Sequence, residues 1–215
     1  MNKPLPADER KQQILDASEQ LFITQGYGAT SISQILEKVD IARGTFYYHF
    51  QSKMEVKDAI IDQYTDLIRE RAIAVANQPE LPFQQKVLGV LLAAQQRAGN
   101  QTELLDELHR PENEIFHIRS QQRSLDTMVP ILTRVVVEAV ENGEISAQYP
   151  EEAIEMMLLY ANSAFDDMAE NEPEKQLRKV QGFIHHTELL LGAEPGSFAF
   201  LLEMMGGAQN EDDSQ

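Results

Sequence analysis

Apolar positions recur along this chain at intervals of three and four, and no alternating strand pattern with hairpin turns interrupts them. Ile14, Leu15, Ser18, Leu21 and Phe22 share one helical face, which predicts a helix over residues 8–25 with Gly26 as its C′ residue. A short second helix over 31–39 buries Ile32, Ile35, Leu36 and Val39. Ser31 and Gln34 have capping-box spacing at its start. After the turn "VDIA" comes a third short helix, residues 43–50. Ser52 and Glu55 form another capping box, opening a long helix to residue 76 with Val56, Ile60, Leu67 and Ile68 facing inward.

"NQPELPF", residues 77–83, ends that helix. Beyond it the pattern predicts helices at 83–98 and 101–109, a broken piece at 112–122, and longer helices at 124–142, 150–170, 173–191 and 197–206. Asn142-Gly143 stops one of them. Pro150 and Pro173 stand at N1 positions beside acids that suit a helix N-terminus. No internal repeat is present. The expectation is an all-α protein: an N-terminal three-helix head over 1–57, a larger helical body over 58–206, and a polar, disordered tail over 207–215.

Composition alters this picture in two ways. The chain has 215 residues and no cysteine, so disulfides and thiolate metal sites are excluded and a reducing cytoplasm is the expected home. No apolar leader core or membrane-length run occurs, so no membrane partner is expected. Net charge is −17, yet residues 1–57 hold seven Lys/Arg and seven Asp/Glu and are neutral. The remaining residues carry 28 acids against 11 bases, so head and body suit different partners.

The head carries the candidate chemistry. Helix 31–39, the turn and helix 43–50 have the arrangement of a helix-turn-helix, whose second helix enters the major groove of double-stranded DNA. Phe46 and Phe50 are spaced i, i+4 and face the core together, which turns Arg43, Tyr47 and Tyr48 or His49 the other way. Arg43 can present its fork to a guanine edge or a phosphate. Thr45, Tyr47, Tyr48 and His49 offer hydrogen bonds to phosphate, and Lys53 is expected to meet phosphate at the start of the next helix. Ser31, Ser33 and Gly44 complete the candidate DNA-binding set.

The segment "GYGATSISQILEKVDIARGTFYYHFQSK", residues 26–53, resembles the signature of the TetR/AcrR family of transcriptional regulators, and the likeness extends over residues 8–70. The resemblance implies a homodimer with an all-helical ligand-binding domain that dimerises through its last helices and leaves operator DNA when a small molecule binds. Two positions depart from the family pattern. Asp40 stands where Gly is common, and Ala42 stands where Ser or Thr often caps the recognition helix, a loss of about 1 kcal/mol of capping.

In the body, "ELHRPENEIFH" gathers His109, Glu112, Glu114 and His117. Glu114 and His117 have the spacing of a di-iron carboxylate bundle, but no second Glu-x-x-His exists, so neither a metal nor another cofactor is expected. Asp106, Glu107, His109, Phe116 and His117 are instead candidate effector-pocket residues. Glu155, Met156, Met157, Tyr160, Phe165 and Asp166 join them from an apolar-striped helix. The acidic body suggests a cationic, amphipathic small-molecule effector, its charge met by Asp106, Glu107, Glu155 or Asp166. Two other classes stay open: a ligand carrier whose head no longer binds DNA, and a carboxylate enzyme built on 107–117 and 166–167. The latter lacks a paired ligand set, a P-loop and a nucleophile elbow.

Overall fold

Helices alone make up the regular structure of the described residues, which in this computed structural model are 6–95, 114–165 and 173–206. They are α1 (Ala7–Gln25), α2 (Ile32–Val39), α3 (Arg43–His49), α4 (Lys53–Ala76), α5 (Phe83–Gln95), α6 (Glu114–Glu141), α7 (Pro150–Phe165), α8 (Pro173–Leu191) and α9 (Phe200–Gly206). None of these is long and apolar enough to cross a membrane. The expected helix at 101–109 and the tail at 207–215 lie outside the described residues.

The chain divides into two compact units, which part inside α4 between Leu67 and Ile68 and again inside α6 between Ser120 and Gln121. In the first, Ile14, Leu15 and Phe22 of α1 meet Ile35 of α2, Phe46 and Phe50, and Val56, Ile60 and Ile61 of α4. In the second, Phe83, Val87 and Val90 of α5 pack with residues of α6, α7 and α8 around Phe198.

Local chemistry sets the ends of these helices. Ser31 Oγ accepts from the Gln34 N–H at 3.3 Å while Gln34 Oε1 accepts from the Ser31 N–H at 2.8 Å, the capping box its spacing predicts. At the end of α2 the Ile41 N–H reaches the Leu36 carbonyl and the Asp40 N–H the Glu37 carbonyl. This Schellman turn needs a left-handed residue, and Asp40 supplies it at φ 55°. Gly143 plays the same part after α6, at φ 74°.

Two expectations are corrected. The box at Ser52 and Glu55 is displaced by one residue: Ser52 Oγ accepts from the Glu55 N–H at 3.1 Å, but the Glu55 carboxylate takes the Gln51 N–H. From Glu114, where the described residues resume, the expected broken piece and the separate helix expected at 124–142 are one continuous helix, α6, with Pro130 inside it. Proline removes one backbone donor and costs about 3 kcal/mol in a helix interior. Pro130 is on the exposed face, while Met128, Ile131, Leu132, Val135, Val136 and Ala139 bury the other, and that burial carries the helix through.

Candidate nucleic-acid interface and body cavities

The α3 helix is short and begins without a side-chain cap, because Ala42 has no oxygen to offer. Its hold on the head comes from below. Phe46 and Phe50 are 0% and 1% exposed, with ring centroids 6.0 Å apart. One face of α3 is thereby locked, and the opposite face is presented to solvent. Tyr48 is 76% exposed and Tyr47 37%. Arg43, Gly44, Ser31 and Ser33 are exposed, and Thr45 and His49 are half-buried. The Arg43 guanidinium lies 5.7 Å from the Tyr47 ring, and the rings of Tyr48 and His49 meet edge-on at 4.9 Å. A planar cation, three hydroxyls and an imidazole thus share one short helix whose other face is fixed, an arrangement suited to hydrogen bonding with phosphates and base edges.

Lys53 is placed differently from the expectation of a phosphate contact. Its Nζ donates to the Tyr27 carbonyl at 2.5 Å and the Thr30 carbonyl at 2.6 Å, and it stands 4.2 Å from the centre of the Tyr27 ring. Burial lowers its pKa. Lys57, itself buried, lies 4.6 Å from the same ring. Tyr27 responds with a raised pKa, from its own burial and then from the charge of Asp58. Lys53 therefore ties the loop between α1 and α2 to the start of α4. Sequence reasoning also missed Lys11, exposed on α1, whose ammonium lies 5.7 Å from the Phe50 ring at the end of α3. Nothing in the local sequence joins residues 11 and 50.

The body candidates are placed unevenly. Asp106, Glu107, His109 and Asp166 lie outside the described residues. Phe116 and His117 belong to α6 and Phe165 ends α7. Met156, Met157 and Tyr160 line a groove of about 450 Å³. Its other wall is α8, which contributes Arg178, Lys179, Gly182 and Phe183, then His186, Thr187 and Leu190. Behind it lies an apolar cavity of about 70 Å³, and Met157 and Phe183 line both spaces. Glu155 is exposed and lines neither space, so the expected pairing of a Glu155 carboxylate with the Met and Tyr wall is not formed. Among the described residues, the charged side chains that line the groove are cationic.

Comparison with known proteins bears on both units. Residues 14–60 match the sequence profile described as bacterial regulatory proteins, tetR family. The HTH-type transcriptional regulator SrpR of Pseudomonas putida is 28% identical over 154 residues, 65% of this chain and 65% of SrpR, so the match spans just under two thirds of that relative. A TetR-family transcriptional regulator from Mesorhizobium loti MAFF303099 superposes with a TM-score of 0.60 at 14% identity, over 88% of this chain and 100% of its own. RolR, solved with resorcinol, gives 0.56 at 15% identity, over 93% of this chain and 94% of its own. The fold shared with these structures is all-helical, with an N-terminal helix-turn-helix.

Proposed function

We propose, from the tetR-family match over residues 14–60 and the likeness to SrpR, that this chain is a transcriptional regulator of the TetR/AcrR family, a dimeric repressor released from a palindromic operator by a small molecule. The observation that carries this reading is the two-faced α3: Phe46 and Phe50 sealed below, Arg43, Tyr47 and Tyr48 open above. Arg43 reads base edges, while Tyr47, Tyr48, Thr45 and His49 hold the phosphate backbone. Ser31, Ser33 and Gly44 are exposed around them and allow close approach.

One such head makes too few contacts for tight specific binding, so two must act together. The body offers a surface for that purpose. Leu159 of α7 and Leu177, Leu189 and Leu190 of α8 are all exposed, Leu189 at 65%. Leucines in this number on two adjacent helices suit burial against a second copy. An effector that binds better to a head spacing unsuited to DNA would shift the dimer off its operator, and operator DNA would weaken effector binding by the same factor. Resorcinol in RolR is a precedent for a small molecule within this fold.

Site selection from a random pool of duplexes tests the reading. Enrichment of a near-palindrome with half-sites about one helical turn apart, ~10 bp, or a multiple of it, is the expected result. A pool without any enriched sequence contradicts it.

A further inference from the structure

Two of the head's cations are held at the loop between α1 and α2. Lys53 is bonded to the Tyr27 and Thr30 carbonyls, and Lys57 is buried over the Tyr27 ring. On α3 itself Arg43 is the only lysine or arginine, and it stands at the first residue. The helix has seven residues, roughly 10 Å along its axis, so its far end has no cation of its own. A recognition helix lies in a groove about 12 Å wide with phosphates on both sides, and cations at both of its ends would meet them.

Lys11 of α1 supplies the missing charge. It precedes Ile14 and Leu15 by three and four residues and so lies on the edge of the face that α1 buries. Its ammonium stands 5.7 Å from the centre of the Phe50 ring, and Phe50 is the residue that ends α3. Phe50 is sealed while Lys11 is exposed, so the lysine stem reaches the rim of the core and carries its charge at the surface.

That ammonium is uncommitted. Among the described residues Lys11 makes no hydrogen bond and no ion pair, and the ring is its one contact of this kind. Several acids of the head are engaged elsewhere. Asp16 accepts from Gln12, Glu19 from the Tyr64 hydroxyl, and Glu55 from the Gln51 N–H just past α3. A separation of 5.7 Å is at the outer limit of a cation–π contact, which holds the charge weakly and leaves its N–H donors open.

We propose that Lys11 is a phosphate contact of the DNA-binding surface, supplied by α1, which with Arg43 brackets the exposed face of α3. The proposal rests on the regulator reading above and adds a residue to its DNA surface. A compact ammonium at the end of the helix, off the face that carries Tyr47 and Tyr48, serves affinity and not sequence choice. The rival role is structural: a cation beside the C-terminal end of α3 also suits that helix's dipole.

The test titrates the full chain against the selected duplex and an unrelated one at several salt concentrations, with Tm measured on the same preparations. Lys11→Gln is expected to weaken binding to both duplexes alike, about five- to tenfold, and to leave Tm within about 2 °C. It is also expected to flatten the slope of log Kd against log salt by about 0.9 for each head, ~1.8 for a dimer. Lys11→Arg should keep the parental slope. Arg134→Gln removes the same charge from an exposed position in the other unit and should change neither slope nor affinity. A parental slope in Lys11→Gln overturns the proposal, and with a lowered Tm it assigns Lys11 to the helix end. A loss confined to the selected duplex, or equal flattening by Arg134→Gln, overturns it as well. A parent that binds neither duplex sinks the regulator reading and this contact with it. A parent that binds the selected duplex while Lys11→Gln matches it sinks the contact alone.

Discussion

The Lys53 ammonium donates to the main-chain carbonyl of Tyr27 and stands 4.2 Å from the centre of the same residue's ring. One cation therefore meets both the backbone and the π-face of a residue far away in sequence, and the Thr30 carbonyl takes a second hydrogen bond. The loop so fastened leads into Ser31, the cap of α2, whose Ile35 shares the head's core with Phe46 of α3. Lys53→Met is expected to lower Tm and weaken operator binding together. Lys53→Arg is expected to recover only part of each, because a planar fork does not reproduce the compact ammonium geometry. If Lys53→Met leaves Tm unchanged while operator binding falls, Lys53 is a phosphate contact and not a strut.

Core and surface roles on α3 separate cleanly. Phe46→Ala empties a fully buried site and is expected to destabilise the protein by about 3–5 kcal/mol. Tyr48→Ala is expected to change stability by less than about 0.5 kcal/mol yet weaken binding to all DNA. Arg43→Ala should damage the selected site more than unrelated DNA. Urea unfolding beside DNA titration reads both quantities, and a Tyr48→Ala protein with full affinity would refute the assigned face.

The turn between α2 and α3 holds room for improvement. Asp40 sits at φ 55°, where Gly meets no Cβ penalty, so Asp40→Gly is expected to stabilise by about 0.5 kcal/mol and Asp40→Val to destabilise by about 1–2. Ala42→Ser adds the absent cap and is expected to gain about 0.5–1 kcal/mol. Chemical denaturation midpoints decide these, and an Asp40→Val protein as stable as the parent would refute the strained-turn reading.

Much of the head could be read from the chain itself. Phe46 and Phe50 against Tyr47 and Tyr48 follow from helical spacing, and the box at Ser31 from a three-residue offset. The reach of Lys53 to Tyr27 and Thr30, and of Lys11 to Phe50, exists only after α1, α3 and α4 have packed. In the body the pattern set a break between residues 122 and 124, and only the buried face of α6 shows why the helix passes through it. Overall acidity says nothing of local grouping, and the gathering of Arg178, Lys179 and His186 beside the α7 wall appears only once α8 has formed.

Alkaline stability follows from Tyr64, whose hydroxyl donates to the Glu19 carboxylate across α1 and α4. Its pKa is raised well above the usual tyrosine range, first by burial, then by that hydrogen bond and by the charges of Glu19 and Asp16. In the unfolded chain the phenol titrates near ~10. Between that value and the folded one the native state binds more protons, so stability falls as pH rises. The contribution is fully present below ~10 and is lost on the way up through the folded value. Lys53, with its pKa lowered, acts in the opposite direction and is common to parent and variant. Tyr64→Phe is expected to be less stable than the parent at pH 8 and to show a smaller loss of Tm between pH 9 and 11. Parallel Tm–pH curves would contradict the assignment.

Dimerisation through the exposed leucines is tested by Leu159→Glu and Leu189→Glu. Both positions are exposed in the single chain, so the fold is expected to survive while sedimentation shows monomers and operator affinity falls. Dimers that persist in both variants would place the interface elsewhere.

Fluorescence anisotropy of the selected duplex, titrated with the full chain at several salt concentrations, bears most directly on whether this is an operator-binding dimer. The expected result is saturation at two chains per site, with log Kd linear in log salt and an affinity that R43A/Y48A reduces by about 100-fold. A folded parent protein that binds this duplex no better than an unrelated one, or an R43A/Y48A protein that matches the parent, would contradict it.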